Sequence, residues 1–137
     1  MKMDIKLVHK LEKAIIHLLA LDGWKLKWTG KNYEHCDAVG LTPKGVSCAL
    51  EIKIRRKWYQ TKLIEKYKYD KLMQMPQDAK FYFVSDDKGN YLYWLNDIKL
   101  PPEKDMYCPD TTLWTKKKVL KPCYLLDESM AHIINYN

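Results

Sequence analysis

Ala49-Leu50-Glu51-Ile52-Lys53-Ile54 alternates strictly, with Leu50, Ile52 and Ile54 on one face of an extended segment and Glu51 and Lys53 on the other. Ionised groups do not enter a core strand cheaply, because an unpaired buried charge costs several kcal/mol. Glu51 and Lys53 therefore call for a chemical reason. Asp37 stands fourteen positions earlier on another short apolar run. Two carboxylates suit a hard divalent cation held through oxygen, and an ammonium beside them can orient a water or offset charge on a phosphate.

Working outward, Cys36 to Leu41 and Val46 to Arg55 read as two strands joined by the tight turn Thr42-Pro43-Lys44-Gly45. An antiparallel hairpin of this kind brings Asp37 and Glu51 close in space. Upstream, Trp24 to Trp28 alternates as a half-exposed strand. Asp4 to Leu21 carries Leu7, Val8, Leu11, Ile15, Leu18 and Leu19 at helical spacing, with Asp22-Gly23 closing the helix. Glu12 falls inside that apolar arc, so its carboxylate is expected to face the core. It either pairs at the arc's edge or reaches the metal or its water shell.

Downstream, Gln60 to Met75 reads as a second helix ended by Pro76. Phe81 to Val84 and Tyr91 to Leu95 are expected strands around the turn 85–90, and their aromatic density suggests core. Lys99 to Pro109 reads as a surface loop, Val119 to Leu126 as a strand, and Glu128 to Ile134 as a short helix capped by Asp127. The resulting order is α-β-β-β-α-β-β with a C-terminal strand and short helix, an α/β (α+β) arrangement. With 137 residues and no linker or repeat, residues 1–137 are expected to form a single domain.

Composition narrows the partners. Lys and Arg outnumber Asp and Glu by 24 to 17, which gives a net charge of +7 and favours a polyanion. The positive residues gather just after the Glu51/Lys53 strand as Arg55, Arg56, Lys57, Lys62, Lys66, Lys68 and Lys71, interleaved with Trp58, Tyr59, Tyr67 and Tyr69. That mixture suits phosphate contacts together with packing on sugars or bases. From this cluster Arg55, Arg56, Lys57, Lys62, Lys66 and Tyr69 are the expected nucleic-acid contacts. The four cysteines lack any C-x-x-C pair and read as free thiols of a reducing cytosol. The charged amino end does not resemble a signal peptide, and no apolar run approaches the ~20 residues that span a bilayer. A cytoplasmic protein without a membrane partner is expected. There is no Gly-rich phosphate loop and no Gly-x-Ser-x-Gly elbow. His9 and His17 lie outside the apolar arc and are expected in solvent, while His35 can reach the edge of the site.

Asp37 followed by Glu51-Ile52-Lys53, with Glu12 on the preceding helix, resembles the signature of the PD-(D/E)XK nuclease superfamily, and the compact layout is similar to its phage-type and Holliday-junction-resolvase-like members. Cys36 stands where that motif has proline. Ile64 stands where the related exonuclease branch has the tyrosine of Gln-x-x-x-Tyr, with Gln60 in place. The resemblance implies a restriction-endonuclease-like mixed sheet flanked by helices. It also implies Mg²⁺, replaceable by Mn²⁺, held by Asp37, Glu51 and the Ile52 carbonyl, with Lys53 acting on the attacking water or the phosphorus. Glu12 would hold outer-shell water or a second ion.

The implied activity is that of an endodeoxyribonuclease on DNA, with branched or otherwise structured DNA among its expected substrates, working as a homodimer in a bacterial or phage-infected cytoplasm. The alternative is a catalytically silent nucleic-acid-binding protein of the same fold. Plainer readings also stay open: Asp37 near a turn can cap backbone N–H groups, and Glu51 and Lys53 can form cross-strand pairs on a solvent face.

Overall fold

The computed structural model describes residues 4–30, 35–109 and 117–135. In chain order these form α1 (Ile5–Leu21), β1 (Lys25–Trp28), β2 (Ala38–Leu41), β3 (Ser47–Ile54), β4 (Thr61–Glu65), α2 (Lys66–Met73), β5 (Ala79–Ser85), β6 (Asn90–Trp94), β7 (Lys104–Pro109), β8 (Lys118–Asp127) and β9 (His132–Ile134). A mixed six-stranded sheet runs in the order β1-β2-β3-β5-β6-β9, and a second, three-stranded sheet in the order β4-β8-β7.

The hairpin expected around Thr42-Pro43-Lys44-Gly45 is present. Ala38 pairs with Leu50 and Leu41 with Ser47, and Gly45 takes a positive φ of 82° at the turn. β3 then pairs in parallel with β5, Glu51 opposite Tyr82 and Lys53 opposite Val84. A parallel pair needs a crossover, and residues 55–78 supply it through β4 and α2. β3 is thus an interior strand with neighbours on both edges, and Cys48, Ala49, Leu50 and Ile52 are buried along it.

The alternation along β3 separates two cores. Leu50 and Ile52 pack with Ile15, Ile16 and Leu19 of α1 and with Phe81 and Phe83 of β5. Ala49 lies on the other face with Ile64, Leu72, Tyr82, Val84, Tyr93 and Leu126, under α2 and the second sheet. Asp4 caps α1, its carboxylate accepting from the Lys6 amide at 2.6 Å. Where β2 crosses β1, a Cβ on Gly40 would lie 1.9 Å from the Lys25 carbonyl oxygen, an impossible approach to backbone. Gly40→Ala is expected to destabilise the protein by at least the upper end of the ~1–3 kcal/mol typical of overpacking, read from urea unfolding.

Three segments depart from the sequence expectation. The helix expected over 60–75 begins only at Lys66. Thr61–Glu65 is a strand because β8 offers it an antiparallel edge, Thr61 opposite Asp127, and Lys62 and Ile64 then point inward with period two. The loop expected over 99–109 contains β7, which pairs along the other edge of β8. The C-terminal helix expected over 128–134 is a single 3-10 turn, Glu128–Met130, after which β9 joins the free edge of β6. Asp127 does cap that turn, accepting from the Ser129 amide at 2.9 Å.

Lys62 is the consequential case. Expected as a nucleic-acid contact on a helix flank, it is 1% exposed, and its ammonium is bound to Asp86 at 3.2 Å, to the Tyr59 carbonyl and over the Tyr91 ring at 4.0 Å. It is a structural cation and cannot meet DNA from that position. The segments 81–84 and 91–95 lie in the core, as their aromatic density suggests, with Phe83, Val84, Tyr91, Tyr93 and Leu95 all buried.

Candidate metal centre

Asp37 is fixed through its backbone first. Its N–H donates to the Leu50 carbonyl at 2.9 Å and its carbonyl accepts from the Thr29 amide at 2.8 Å, so it is held between β3 and the end of β1. β2 proper begins one residue later, and past that point β3 loses its backbone partner on this edge. The Ile52 N–H faces the gap and is taken by the Asp37 carboxylate, at 2.8 Å to Oδ2. N–H and C=O of one strand residue share an edge, so the Ile52 carbonyl faces the same side. The plain capping role of Asp37 and its place beside Glu51 are therefore one arrangement.

Asp37 and Glu51 meet side chain to side chain. Burial pushes the Glu51 carboxyl well above the ordinary range, and the facing Asp37 charge adds to it. Burial likewise raises Asp37, against the stabilising Ile52 N–H. Among the described residues, neither carboxylate takes part in an ion pair. Two adjoining carboxylates in a poorly solvated recess cannot both ionise without a cation. With the Ile52 carbonyl alongside, they form an all-oxygen set that leaves positions for water, which fits Mg²⁺. Among the described residues no three His, Cys, Asp or Glu side chains converge on one ion position.

Glu12 is accordingly set back from the pair. It is buried on α1, where Trp28 Nε1 donates to its Oε1 at 3.0 Å, and burial raises its pKa against that hydrogen bond. The Trp28 ring is itself fixed by the edge of His9 at 5.0 Å and the Lys13 ammonium at 4.4 Å, so His9 is half-buried rather than free in solvent. A Cβ on Gly30 would fall 2.5 Å from that ring. His35 is exposed and lines the recess beside Asp37.

Lys53 lies across from the pair on the same face of β3. Its side chain is exposed at the edge of the recess, where partial desolvation of the ammonium lowers its proton affinity and the nearby charges of Lys68 and Arg55 lower it further. Lys68 is the residue the sequence did not single out within the basic cluster. It lines both recesses that open onto Glu51, and its charge opposes the rise in the pKa values of Asp37 and Glu51. The available signal was its position one turn before Leu72, which is fully buried, because residues four apart share a helix face. Glu65 anchors this lysine at 3.6 Å and Lys121 of β8 at 2.9 Å. Burial would raise the Glu65 pKa, but the two ammonium groups hold it below the usual value.

The remaining expected contacts divide. Arg55 is half-buried in the recess beside Lys53, and among the described residues its buried Nε has no hydrogen-bond partner. Arg56 and Lys57 are exposed on the connection to β4. Lys66 pairs with Asp70 at 2.7 Å. Tyr69 packs edge-on against Tyr124 at 5.2 Å, so the exposed ring of α2 is Tyr67, 66% exposed.

The electrostatics set a pH response for the metal-free protein. Native carboxyls with raised pKa values bind more protons than the unfolded chain, so stability falls as pH rises from the ordinary carboxylate range through their folded pKa values. Glu51→Gln is expected to flatten that part of the metal-free stability curve and to raise the Tm at neutral pH, as read by thermal melts between pH 5 and 8 in EDTA. Excess Mg²⁺ is expected to flatten the wild-type curve in the same way.

No protein-family model matches the chain, and no curated protein matches it. A solved structure does: Hjc, a Holliday junction resolvase from the archaeal hyperthermophile Archaeoglobus fulgidus, superposes with a TM-score of 0.58 over 86% of this chain and 88% of that one, at 11% sequence identity. The fold is that of the archaeal resolvase. The restriction-endonuclease-like mixed sheet flanked by helices, expected from the resemblance, is thus the architecture found. In this fold Asp37 immediately precedes β2 and Glu51 lies on the adjacent β3 of the central sheet, while Glu12 is buried on α1. Among the described residues, no helix is long and apolar enough to cross a membrane.

Proposed function

We propose that this protein is a divalent-metal-dependent nuclease that hydrolyses phosphodiester bonds in DNA, with Mg²⁺ as its ion and branched DNA among its substrates. One observation carries the reading: Asp37 and Glu51 meet side chain to side chain, in no ion pair among the described residues, with Lys53 lining the same recess as Glu51. The fold likeness to a protein described as a Holliday junction resolvase supports it.

In this reading Asp37, Glu51 and the Ile52 carbonyl hold the ion. When bound, such an ion polarises a phosphoryl oxygen and makes its water a better nucleophile. Lys53 holds the attacking water or offsets charge as phosphorus becomes pentavalent, and its lowered proton affinity favours the first task, in which the neutral amine accepts a proton. Lys68 offsets part of the negative charge facing the recess. Glu12, fixed by Trp28, orders outer-shell water. Arg55, Arg56 and Lys57 contact the DNA backbone, and a homodimer in the cytoplasm is the proposed working form of a single-domain chain.

The test is cleavage of end-labelled linear duplex, single-stranded and four-way-junction DNA with Mg²⁺ or Mn²⁺ and with EDTA. Cutting that requires the ion is expected, most rapid on the junction. Binding that weakens with salt, without product under any condition, would instead favour the catalytically silent binder. Sedimentation at working concentration checks the dimer.

A further inference from the structure

Two recesses open onto Glu51, and one of them also reaches Asp37. One recess, about 230 Å³, contains Asp37, Glu51, Tyr67, Lys68 and Lys71. The other, about 250 Å³, contains Glu51, Lys53, Arg55, Lys68, Tyr107 and Lys118. Glu51 and Lys68 belong to both, so the two recesses adjoin at these side chains. Each has one exposed tyrosine, 66% for Tyr67 and 68% for Tyr107, and lysines of its own, Lys71 in the first and Lys53 and Lys118 in the second. The Lys71 ammonium is 5.6 Å from the Tyr67 ring. Single exposed aromatics are ordinary, but two buried tyrosines spend their hydroxyls on backbone, Tyr82 on the Leu63 carbonyl at 2.7 Å and Tyr93 on that of Leu126 at 3.0 Å. Among the described residues Tyr67 and Tyr107 have neither a hydrogen bond nor a stacked ring.

A phosphodiester held at Asp37 and Glu51 has a nucleoside on each side, and the two must leave the ion site in different directions. Among the described residues, the two recesses that adjoin Glu51 offer such directions. We propose that Tyr67 and Tyr107 are stacking platforms for the two nucleobases that flank the reacting phosphate, so that the strand crosses the site with those bases unpaired and turned outward. A positive groove set with aromatic faces holds single strands in this way. Each recess is smaller than the ~300 Å³ at which pockets for drug-sized ligands begin, which suits one base and not a base pair. The substrate class follows: a single strand, or a duplex opened at a flap, fork or junction.

The inference takes the position of the phosphate from the proposed function, but its test does not require cleavage. A single-stranded oligodeoxynucleotide with 2-aminopurine at successive positions is titrated with protein in Ca²⁺, against the same sequence as duplex. Quenching at two adjacent positions and weaker duplex binding are expected. Tyr67→Ala and Tyr107→Ala should each weaken binding about 5- to 100-fold and relieve quenching at one of the two positions. The phenylalanine variants should retain wild-type affinity, since the ring and not the hydroxyl is used, and melting curves should be unchanged for side chains this exposed. Wild-type affinity in both alanine variants, equal binding of duplex, loss of affinity in the phenylalanine variants, or no binding of the single strand would each overturn the assignment. Intact quenching without Mg²⁺-dependent cleavage would leave it standing and remove the nuclease.

Discussion

Asp37→Ala is expected to lower Mg²⁺-dependent cleavage by about 10³-fold or more, because an ion that has lost a ligand no longer supplies the several kcal/mol of charge stabilisation that metal-assisted hydrolysis draws on. Alanine also leaves the Ile52 N–H without its acceptor at 2.8 Å, so the cleaner variant is Asp37→Asn. Its amide oxygen can still accept from Ile52 while the charge is gone. Activity should fall as far, and the metal-free protein should melt no lower than wild type, since the repulsion with Glu51 is relieved. Lys53→Ala should lose about 10²- to 10³-fold in kcat. Lys53→Arg then separates the two roles: arginine stays protonated, so recovery of rate would assign an electrostatic role and continued loss a proton-accepting one. A rise in KM at unchanged kcat in either lysine variant would place Lys53 in ground-state binding and sink its assignment to the chemical step.

The largest effect on stability is expected at Lys62. Its ammonium is the counter-charge of Asp86, whose side chain is as buried as its own at 1% exposure, and Asp86 in turn accepts from the Lys88 and Gly89 amides at the β5–β6 turn. Removing one member of such a pair leaves a buried uncompensated charge, worth about 3–5 kcal/mol. For a chain of this size Lys62→Ala should therefore lower Tm by about 10–20 °C. Lys62→Met combined with Asp86→Asn should recover most of that loss, because the stranded charge is gone and the aliphatic stem still packs between Tyr91 and Trp58. Equal damage in the single and double variants would show that packing, and not charge, is what Lys62 supplies.

Lys62 also shows where sequence reading reaches its limit. Leu63, Ile64 and Tyr67 have helical spacing, and nothing local distinguishes a strand running into a helix from one longer helix. The decision belongs to β8, distant in sequence, whose edge pairs with Thr61–Glu65 and turns Lys62 inward. The same pairing makes β7 of a segment whose prolines and charges read as loop. Tyr69 and Tyr67 differ for a related reason: α2 starts late, so its phase puts Tyr69 against Tyr124 and leaves Tyr67 facing solvent.

The amino-acid sequence by itself determined α1, the β2–β3 hairpin and the nearness of Asp37 to Glu51, because a 3.6-residue period, a two-residue period and a tight turn are all local properties of the chain. It also placed Glu12 on the buried side of α1. Only the tertiary structure decided that Glu12 is held by Trp28 and stands back from the pair, that Lys68 reaches both recesses, and that Tyr107 from the second sheet faces the same site as Glu51. Those placements depend on pairings between segments far apart in sequence, and such contacts are fixed by which edges and faces remain open after the local elements have formed.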